Sequence, residues 1–521
     1  MSTNMNLIGA PSTPWSYYQD AIFGFVEHRR ESLLIEAVAG AGKTTTIVEA
    51  IRHVPRIQSV VFLAFNKSIA DELRRRVTQP NAKCMTLHSA GFNAWRQHLG
   101  WDAHNLEVDS RKTSKIMDEI LEDQERWAFG GEMGRLIGIA KAAGIVPRGD
   151  AGKLHGLLPD DTAIWQDLVE FYGLDEDKWD ENGIDIARKV LTRSIDKAID
   201  VIDYDDMLYM PVIAGSIFEK YDVVFLDEAQ DVSGIQVEMV DRMIQREESR
   251  VIAVGDRHQA IYGFRGALGN SMDSIKERFH CEELPLSVSY RCPVVVVEHA
   301  KQWVPQIESW SDAVIGDVAT PESWNVKDFR AGDAVLCRVT RPVVELAFRL
   351  IRNRVPAKVL GRDIGQGLVK LIDKMKAMDT VDLDQKLLRF REREVARAKG
   401  DLSKIATVDD KLDTLHVFMD ELGVDATIQS LKSSIESLFG ENQDGAQMVT
   451  LSTVHKAKGL EWPRVFVLDA DLYMPSGWAK QPWQRQQEMN LCYVAATRAK
   501  KELVYISSIG IIEMEEEDQT R

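Results

Sequence analysis

Short, unbroken apolar runs recur along the chain, each followed by a helical or glycine-rich stretch. The first set is Leu33-Leu34-Ile35, Val60-Val61-Phe62-Leu63, Val223-Val224-Phe225-Leu226 and Val251-Ile252-Ala253-Val254. The second is Ala334-Val335-Leu336-Cys337, Met448-Val449-Thr450-Leu451, Val465-Phe466-Val467-Leu468 and Leu503-Val504-Tyr505-Ile506. Apolar runs without polar alternation fit strands covered on both faces, as in parallel α/β sheets. Two sets predict two α/β cores.

The segments between them have a different period. From about Phe92 to Ile202 the pattern is helical, clearest over Lys112 to Leu121 and Ile184 to Ile199, with no convincing strand. A second helical stretch runs from about Arg362 to Gly445, through Gln366 to Met378, Leu383 to Ala398, Asp410 to Leu422 and Ala426 to Phe439. The simplest layout is two sheet domains, each interrupted by helices. The first sheet domain takes residues 1–91 and 203–283, around an insertion at 92–202. The second takes 284–361 and 446–521, around a smaller insertion at 362–445. No internal repeat and no low-complexity linker is present.

Composition narrows the class. At 521 residues the chain exceeds one ordinary domain, and its 45% apolar and 28% charged content is that of globular protein. No apolar run reaches bilayer length, and Met1 to Pro14 lacks the basic flank and apolar core of a signal peptide, so no membrane partner is expected. The five cysteines are scattered without CxxC spacing, which supports neither a disulfide framework nor a zinc site. A reducing compartment is expected, cytoplasm or a nucleus. The formal charge of −17 argues at first sight against a nucleic-acid partner. Phosphate contact depends on the local field of a groove, however, and part of the excess lies in the tail Glu513, Glu515, Glu516, Glu517 and Asp518.

Two elements carry recognisable chemistry. After Leu33-Leu34-Ile35 comes Glu36-Ala37-Val38-Ala39-Gly40-Ala41-Gly42-Lys43-Thr44-Thr45-Thr46, opening a helix over Ile47 to Arg52. Small residues let backbone N–H groups close around phosphate oxygens, and the helix N-terminus favours their charge. Lys43 would reach the β- and γ-phosphates and Thr44 would hold Mg²⁺. Ala37 stands where the phosphate-loop pattern has its first glycine. Further on, Val223-Val224-Phe225-Leu226-Asp227-Glu228-Ala229-Gln230-Asp231 sets two acids at the end of an apolar strand. Asp227 suits the metal and Glu228 suits a general base for a hydrolytic water.

The loop, this acid box and a series of shorter segments resemble superfamily 1 helicases of the UvrD/Rep/PcrA group, in order and over nearly the whole chain outside the two insertions. The resemblance implies two RecA-like parallel-sheet domains, ATP and Mg²⁺ as ligands, and single-stranded DNA or a single/double-strand junction as substrate. Gln19 sits where the family reads adenine, beside the phosphate-loop residues Ala39, Gly40, Ala41, Gly42, Lys43, Thr44 and Thr45. Phe65-Asn66-Lys67 and Met85-Thr86-Leu87-His88 resemble segments lining the nucleic-acid track. Asp203-Tyr204-Asp205-Asp206-Met207-Leu208 is similar to the element just upstream of the acid box. Val254-Gly255-Asp256-Arg257-His258-Gln259 leads to Tyr262, Phe264 and Arg265, a block that couples γ-phosphate sensing by Gln259 to base stacking. Ser289-Tyr290-Arg291 resembles the element in which the tyrosine stacks on adenine and the arginine meets the γ-phosphate. Val454-His455 through Glu461-Trp462 pairs strand contact with ribose contact by Glu461. Arg498, in Tyr493-Val494-Ala495-Ala496-Thr497-Arg498, takes the place of the arginine finger. Phe65 to Ala70 looks most like the F-box DNA helicase branch and compact phage relatives, although no F-box is evident.

On this resemblance the reaction is ATP hydrolysis coupled to 3′→5′ travel on single-stranded DNA, with the site complete only when the two domains close on nucleotide. The positive charge needed at the transferring phosphoryl group would come from Lys43, Arg291, Arg498 and the metal. Two other readings stay open: a motor subunit of a helicase–nuclease or defence complex, and an ATP-switched binding protein with little unwinding. RNA is not excluded as a strand, since stacking and phosphate contacts distinguish the sugars poorly. Partner proteins in replication, repair or phage defence are conceivable. The arginine run Arg74-Arg75-Arg76 reads first as a helix C-terminus. Arg389, Arg391, Arg393 and Arg397, interleaved with acids, read as a solvated helix face.

Overall fold

The computed structural model describes residues 14–147, 157–172, 174, 178–245, 249–261, 271–398, 402–423, 425–440, 448–479 and 481–511. The chain divides into two compact units, Met1–Val288 and Ser289–Arg521.

The first unit begins α1 (Tyr17–His28), β1 (Leu33–Ala37), α2 (Lys43–Arg52), β2 (Val60–Ala64), α3 (Lys67–Arg76) and β3 (Ala82–Thr86). There follow α4 (Leu87–Leu99), β4 (Glu107–Val108), α5 (Lys112–Ile120), α6 (Asp123–Ala143), β5 (Ile145–Val146), β6 (Leu158–Pro159), α7 (Thr162–Phe171), α8 (Glu181–Asp196) and β7 (Val201–Ile202). The unit closes with α9 (Tyr204–Ile213), β8 (Val223–Leu226), α10 (Gly234–Met243), β9 (Arg250–Gly255), α11 (Ser271–Phe279) and β10 (Glu282–Leu286). Six strands form one sheet in the order β10-β1-β9-β8-β2-β3, parallel throughout. Every residue of β2, β8 and β9 is buried, as their unbroken apolar runs require. The helical stretch contains two strand pairs that its sequence pattern does not show, β4 with β7 and β5 with β6. Each strand is two residues long, too short to leave a period of 2 in the sequence.

This insertion shares its core with the sheet: Val61, Leu63 and Val224 belong to one buried cluster with Ile116, Met133, Trp165 and Ile184. Helices α4 and α9 approach so closely that a Cβ on Gly91 would lie 2.0 Å from the Met207 carbonyl oxygen. Beside this crossing lies a buried charge cluster. Lys112 donates to an Asp206 carboxylate oxygen and to the Ser194 carbonyl, both at 2.6 Å. Lys141 reaches Asp206 at 2.8 Å and Asp203 at 3.0 Å. Asp203 also caps α9, accepting from the Asp206 N–H at 2.8 Å. Two lysines thus balance two aspartates. Lys112→Met, which leaves a carboxylate uncompensated, is expected to cost about 3–5 kcal/mol, measured as a lower urea midpoint.

In the second unit β11 (Val288–Ser289) leads to α12 (Val294–Ala300), β12 (Glu308–Ser309), β13 (Asp317–Ala319), β14 (Ala334–Cys337), α13 (Arg341–Arg352) and β15 (Ala357–Val359). Four helices come next: α14 (Arg362–Met375), α15 (Thr380–Arg397), α16 (Leu402–Leu422) and α17 (Ile428–Leu438). The end is β16 (Val449–Thr453), α18 (Val454–Ala457), β17 (Trp462–Leu468), α19 (Ala470–Tyr473), α20 (Pro482–Ala496) and β18 (Ala499–Ile506). Its six-stranded sheet, order β13-β18-β17-β14-β16-β15, is again parallel throughout. The fold is α/β with two parallel-sheet domains, each carrying inserted helices. Among the described residues no helix is long and apolar enough to cross a membrane.

Candidate nucleotide and nucleic-acid sites

Three neighbouring strands of the first sheet, β1, β9 and β8, end at the same edge. In a parallel α/β sheet this carboxyl edge is where ligands bind. From β1 the chain turns through Gly40 and Gly42, with φ of 73° and 75°, a region that glycine enters without strain. Helix α2 then starts at Lys43; its N-cap Gly42 has no side chain to satisfy the first-turn N–H groups. Those donors and the helix dipole favour an anion there.

The Lys43 ammonium lies 3.4 Å from a Glu228 carboxylate oxygen. Burial opposes its charge, but Glu228, Asp256 and Asp227 outweigh burial and raise its pKa. Burial and the neighbouring Glu228 push the Asp227 carboxyl up to about 7, against the pull of Lys43. Burial also raises Asp256. Glu228 adopts a left-handed backbone, φ 50°, which costs a non-glycine residue about 1–2 kcal/mol. Three acids around one lysine leave an excess of negative charge that a divalent cation would neutralise, so the residues fit Mg²⁺. Among the described residues no group of three or more His, Cys, Asp or Glu could hold a metal by itself.

A hydrogen-bond chain unforeseen in the sequence extends from this cluster. Gln230 donates to Glu228, and its side-chain oxygen accepts from the Asp256 N–H at 3.0 Å. Gln259 in turn donates to the Asp256 carboxylate at 2.6 Å. Hydrogen bonds thus link the acid box, Asp256 and Gln259 in one chain. Gln19 is buried; it donates to Thr46 of α2 at 2.9 Å and accepts from the Ser16 N–H at 3.0 Å, pinning α1 to the phosphate-loop helix.

Phe65 stands 42% exposed where β2 ends. The Asn66 and Thr86 side chains cap helices, accepting from the Ile69 N–H at 2.9 Å and the Ser89 N–H at 3.1 Å. His88 is half-buried, and burial lowers its pKa. Phe65 and His88 line a groove of about 250 Å³ with Asp205, Leu208, Asp231 and Gln236. A smaller space shares Phe65, His88 and Gln236 and reaches Asp227. One wall thus joins the predicted strand contacts to the acid box. Tyr262, Phe264 and Arg265 lie outside the described residues. The arginine run behaves as a helix end: Arg74 pairs with Asp71 and Arg76 with Glu72 at 3.0 Å.

In the second unit the predicted nucleotide residues gather at the amino ends of β17 and β18. Arg291 pairs with Glu461 at 2.5 Å, and Lys500 with the other Glu461 oxygen at 2.6 Å. Burial alone would raise Glu461, but Lys500 and Arg291 prevail and lower it. Tyr290 lies against Trp310, ring centroids 5.9 Å apart. Arg498 is buried, donating to the carbonyls of Val494 at 3.0 Å and Leu460 at 3.2 Å. The two predicted strand contacts of this unit do not come together. His455 follows the carboxyl end of β16, whereas Trp462 starts β17 at the opposite edge, its N–H bonded to the Arg498 carbonyl at 3.0 Å. Trp478, which no motif singles out, stands 46% exposed in the loop beyond the carboxyl end of β17. Buried Glu488 holds that loop, accepting from the Ser476 N–H at 3.0 Å and from Arg338 at 2.7 Å.

A glycine turn into a helix N-terminus, with carboxylates at the same carboxyl edge of a parallel sheet, is an arrangement suited to a nucleoside triphosphate. Residues 21–280 match the UvrD/REP helicase N-terminal domain and residues 366–509 the UvrD-like helicase C-terminal domain. The chain belongs to the UvrD/REP helicase family. It is similar to F-box DNA helicase protein 1 of Schizosaccharomyces pombe, 23% identical over 92% of this chain and 56% of that protein. F-box DNA helicase 1 of Gallus gallus is 25% identical over 95% of this chain and 49% of its own length. DNA helicase II of Haemophilus influenzae is 22% identical over 90% of this chain and 81% of its own. The chain thus spans about half the length of the F-box relatives.

Proposed function

We propose that the chain is an ATP-dependent motor on single-stranded DNA, travelling 3′→5′ and able to unwind duplex ahead of it. The observation that carries this reading is the convergence of Lys43, Asp227, Glu228 and Asp256 at the carboxyl edge of three adjacent strands. Lys43 and the N–H groups of the α2 N-terminus bind the terminal phosphates. Mg²⁺, held by Thr44 and Asp227, would neutralise charge on the phosphates. Glu228 accepts the proton of the attacking water. Gln259 senses the γ-phosphate and, through Asp256 and Gln230, shares its position with Glu228. Arg291 and Arg498 serve turnover rather than binding. Gln19 and Tyr290 bind the base, and Glu461 the ribose.

Grip on the strand is independent of sequence because every base offers a stacking face, worth about 1–3 kcal/mol. Phe65 and His88 supply it in the first unit, with Tyr262, Phe264 and Arg265 in the segment after Gln259. Trp478 joins His455 in the second, with Trp462 the weaker candidate on position. Trp478→Ala is expected to weaken single-stranded DNA binding about tenfold while leaving turnover without DNA unchanged. Fluorescence anisotropy with a labelled oligonucleotide reads this, and unaltered affinity removes Trp478 from the track. Asp256→Asn keeps the shape but weakens the bond from Gln259; stimulation of hydrolysis by DNA should fall about tenfold. Full stimulation in that variant would refute the relay. The reading as a whole is tested by ATP-driven unwinding of 3′-tailed against 5′-tailed DNA and RNA duplexes. Activity on the 3′-tailed DNA alone is expected.

A further inference from the structure

We infer that helices α14 to α17 are a fixed extension of the second sheet and do not move as a separate domain. An inserted segment can swing only where few contacts cross its boundary. Here the boundary runs through one apolar core. Helix α13, which lies between β14 and β15 in sequence and packs on the sheet, buries Val343, Val344, Leu346, Ala347 and Leu350. The same cluster holds Val335, Val449 and Leu451 of the sheet together with Leu415 and Phe418 of α16. Phe348 meets Phe418 edge to face, centroids 5.1 Å apart. Separation would return this surface to water, the dominant cost in any domain movement.

Polar contacts fix the register of the same joint. The N-cap of α13, Thr340, makes no side-chain cap bond of its own. Asp410 of α16 replaces it, accepting from the Thr340 N–H at 3.0 Å and the Arg341 N–H at 2.9 Å. Arg341 pairs with Asp413 at 3.1 Å, and at the far end of α13 Arg352 reaches Glu421 at 3.6 Å. A third tie joins α14 to the sheet edge, Asp363 to Lys456 of α18 at 2.6 Å. Helix α16 is therefore anchored along the whole of α13, by a cap at one end and an ion pair at the other. Helix α15, with its Arg389 and Arg393, is tied to α16 by the Arg391–Asp409 pair at 2.7 Å.

Hydrogen exchange on the full chain tests the joint without any need for catalysis, so its outcome is independent of the proposed motor activity. Leu415→Ala, which empties space in the shared core, is expected to speed exchange of α13 and α16 amides together, by about tenfold or more. Acceleration confined to α14 to α17, with α13 unchanged, would overturn the inference. Asp410→Asn serves the same comparison if Leu415→Ala fails to fold. In a second arm, which rests on the proposed motor activity, Arg341→Cys and Asp413→Cys, in a Cys492→Ser background, are joined by a short bifunctional maleimide. Strand-displacement rates with and without the link should agree within about twofold; a loss of tenfold would show that the joint must open.

Discussion

Lys43→Ala is expected to lower DNA-stimulated ATP turnover by about 10³-fold, the scale of losing a principal charge donor to the transferring phosphoryl group. The fold should survive. Lys43 is not part of a large apolar cluster, and the carboxyls it faces, Asp227 and Asp256, already have raised pKa values, so they can take up protons when the cation is gone. Far-ultraviolet circular dichroism should be unchanged while phosphate release collapses. Persisting turnover in a folded variant would remove the phosphate-loop assignment.

Arg498→Ala has the next largest expected effect, a fall of about 10²–10³-fold in hydrolysis with ADP affinity nearly preserved. A structural contribution has to be separated from it, because the guanidinium also satisfies the Val494 and Leu460 carbonyls. Losing those bonds alone costs stability of about 1–3 kcal/mol, visible as a lower melting temperature. Arg498→Lys keeps a cation but not the planar fork, and should remain impaired in hydrolysis. Hydrolysis near the normal rate in a destabilised Arg498→Ala variant would leave Arg498 a purely structural residue.

The central strands of both sheets are readable from the sequence, and all the edge strands escape it. Strands β1, β2, β8 and β9, and β14, β16, β17 and β18, coincide with the apolar runs because both their faces are covered. The four that escape, β3, β10, β13 and β15, are the outermost strands of their sheets. With one neighbour each they tolerate Lys83, Pro285 and Lys358, and their pattern loses its contrast. Helix starts are displaced for a related reason. Helix α2 begins at Lys43 and not Ile47, since the polar run Lys43 to Thr46 carries no apolar periodicity.

The phosphate loop and acid box are legible because their chemistry demands particular residues at short spacing. The relay through Gln230 and Asp256 is not, since it joins residues from different strands through one side chain. Nor is the cluster of Lys112 and Lys141 with Asp203 and Asp206, whose partners lie up to 94 positions apart. The element Asp203 to Leu208 stands out in the sequence only by its resemblance; its position explains its acids as the anchor of two buried lysines. Trp462 and His455 are close in sequence and distant in the sheet because β17 begins at the edge opposite the one where β16 ends.

The claim on which the rest depends is that turnover at the Lys43–Glu228 cluster moves the protein along a strand. Release of streptavidin from biotinylated single-stranded oligonucleotides measures this directly. With ATP, streptavidin should leave the 5′ end much faster than the 3′ end, and Lys43→Ala should release neither. ATP consumption without accelerated release from either end would contradict the account.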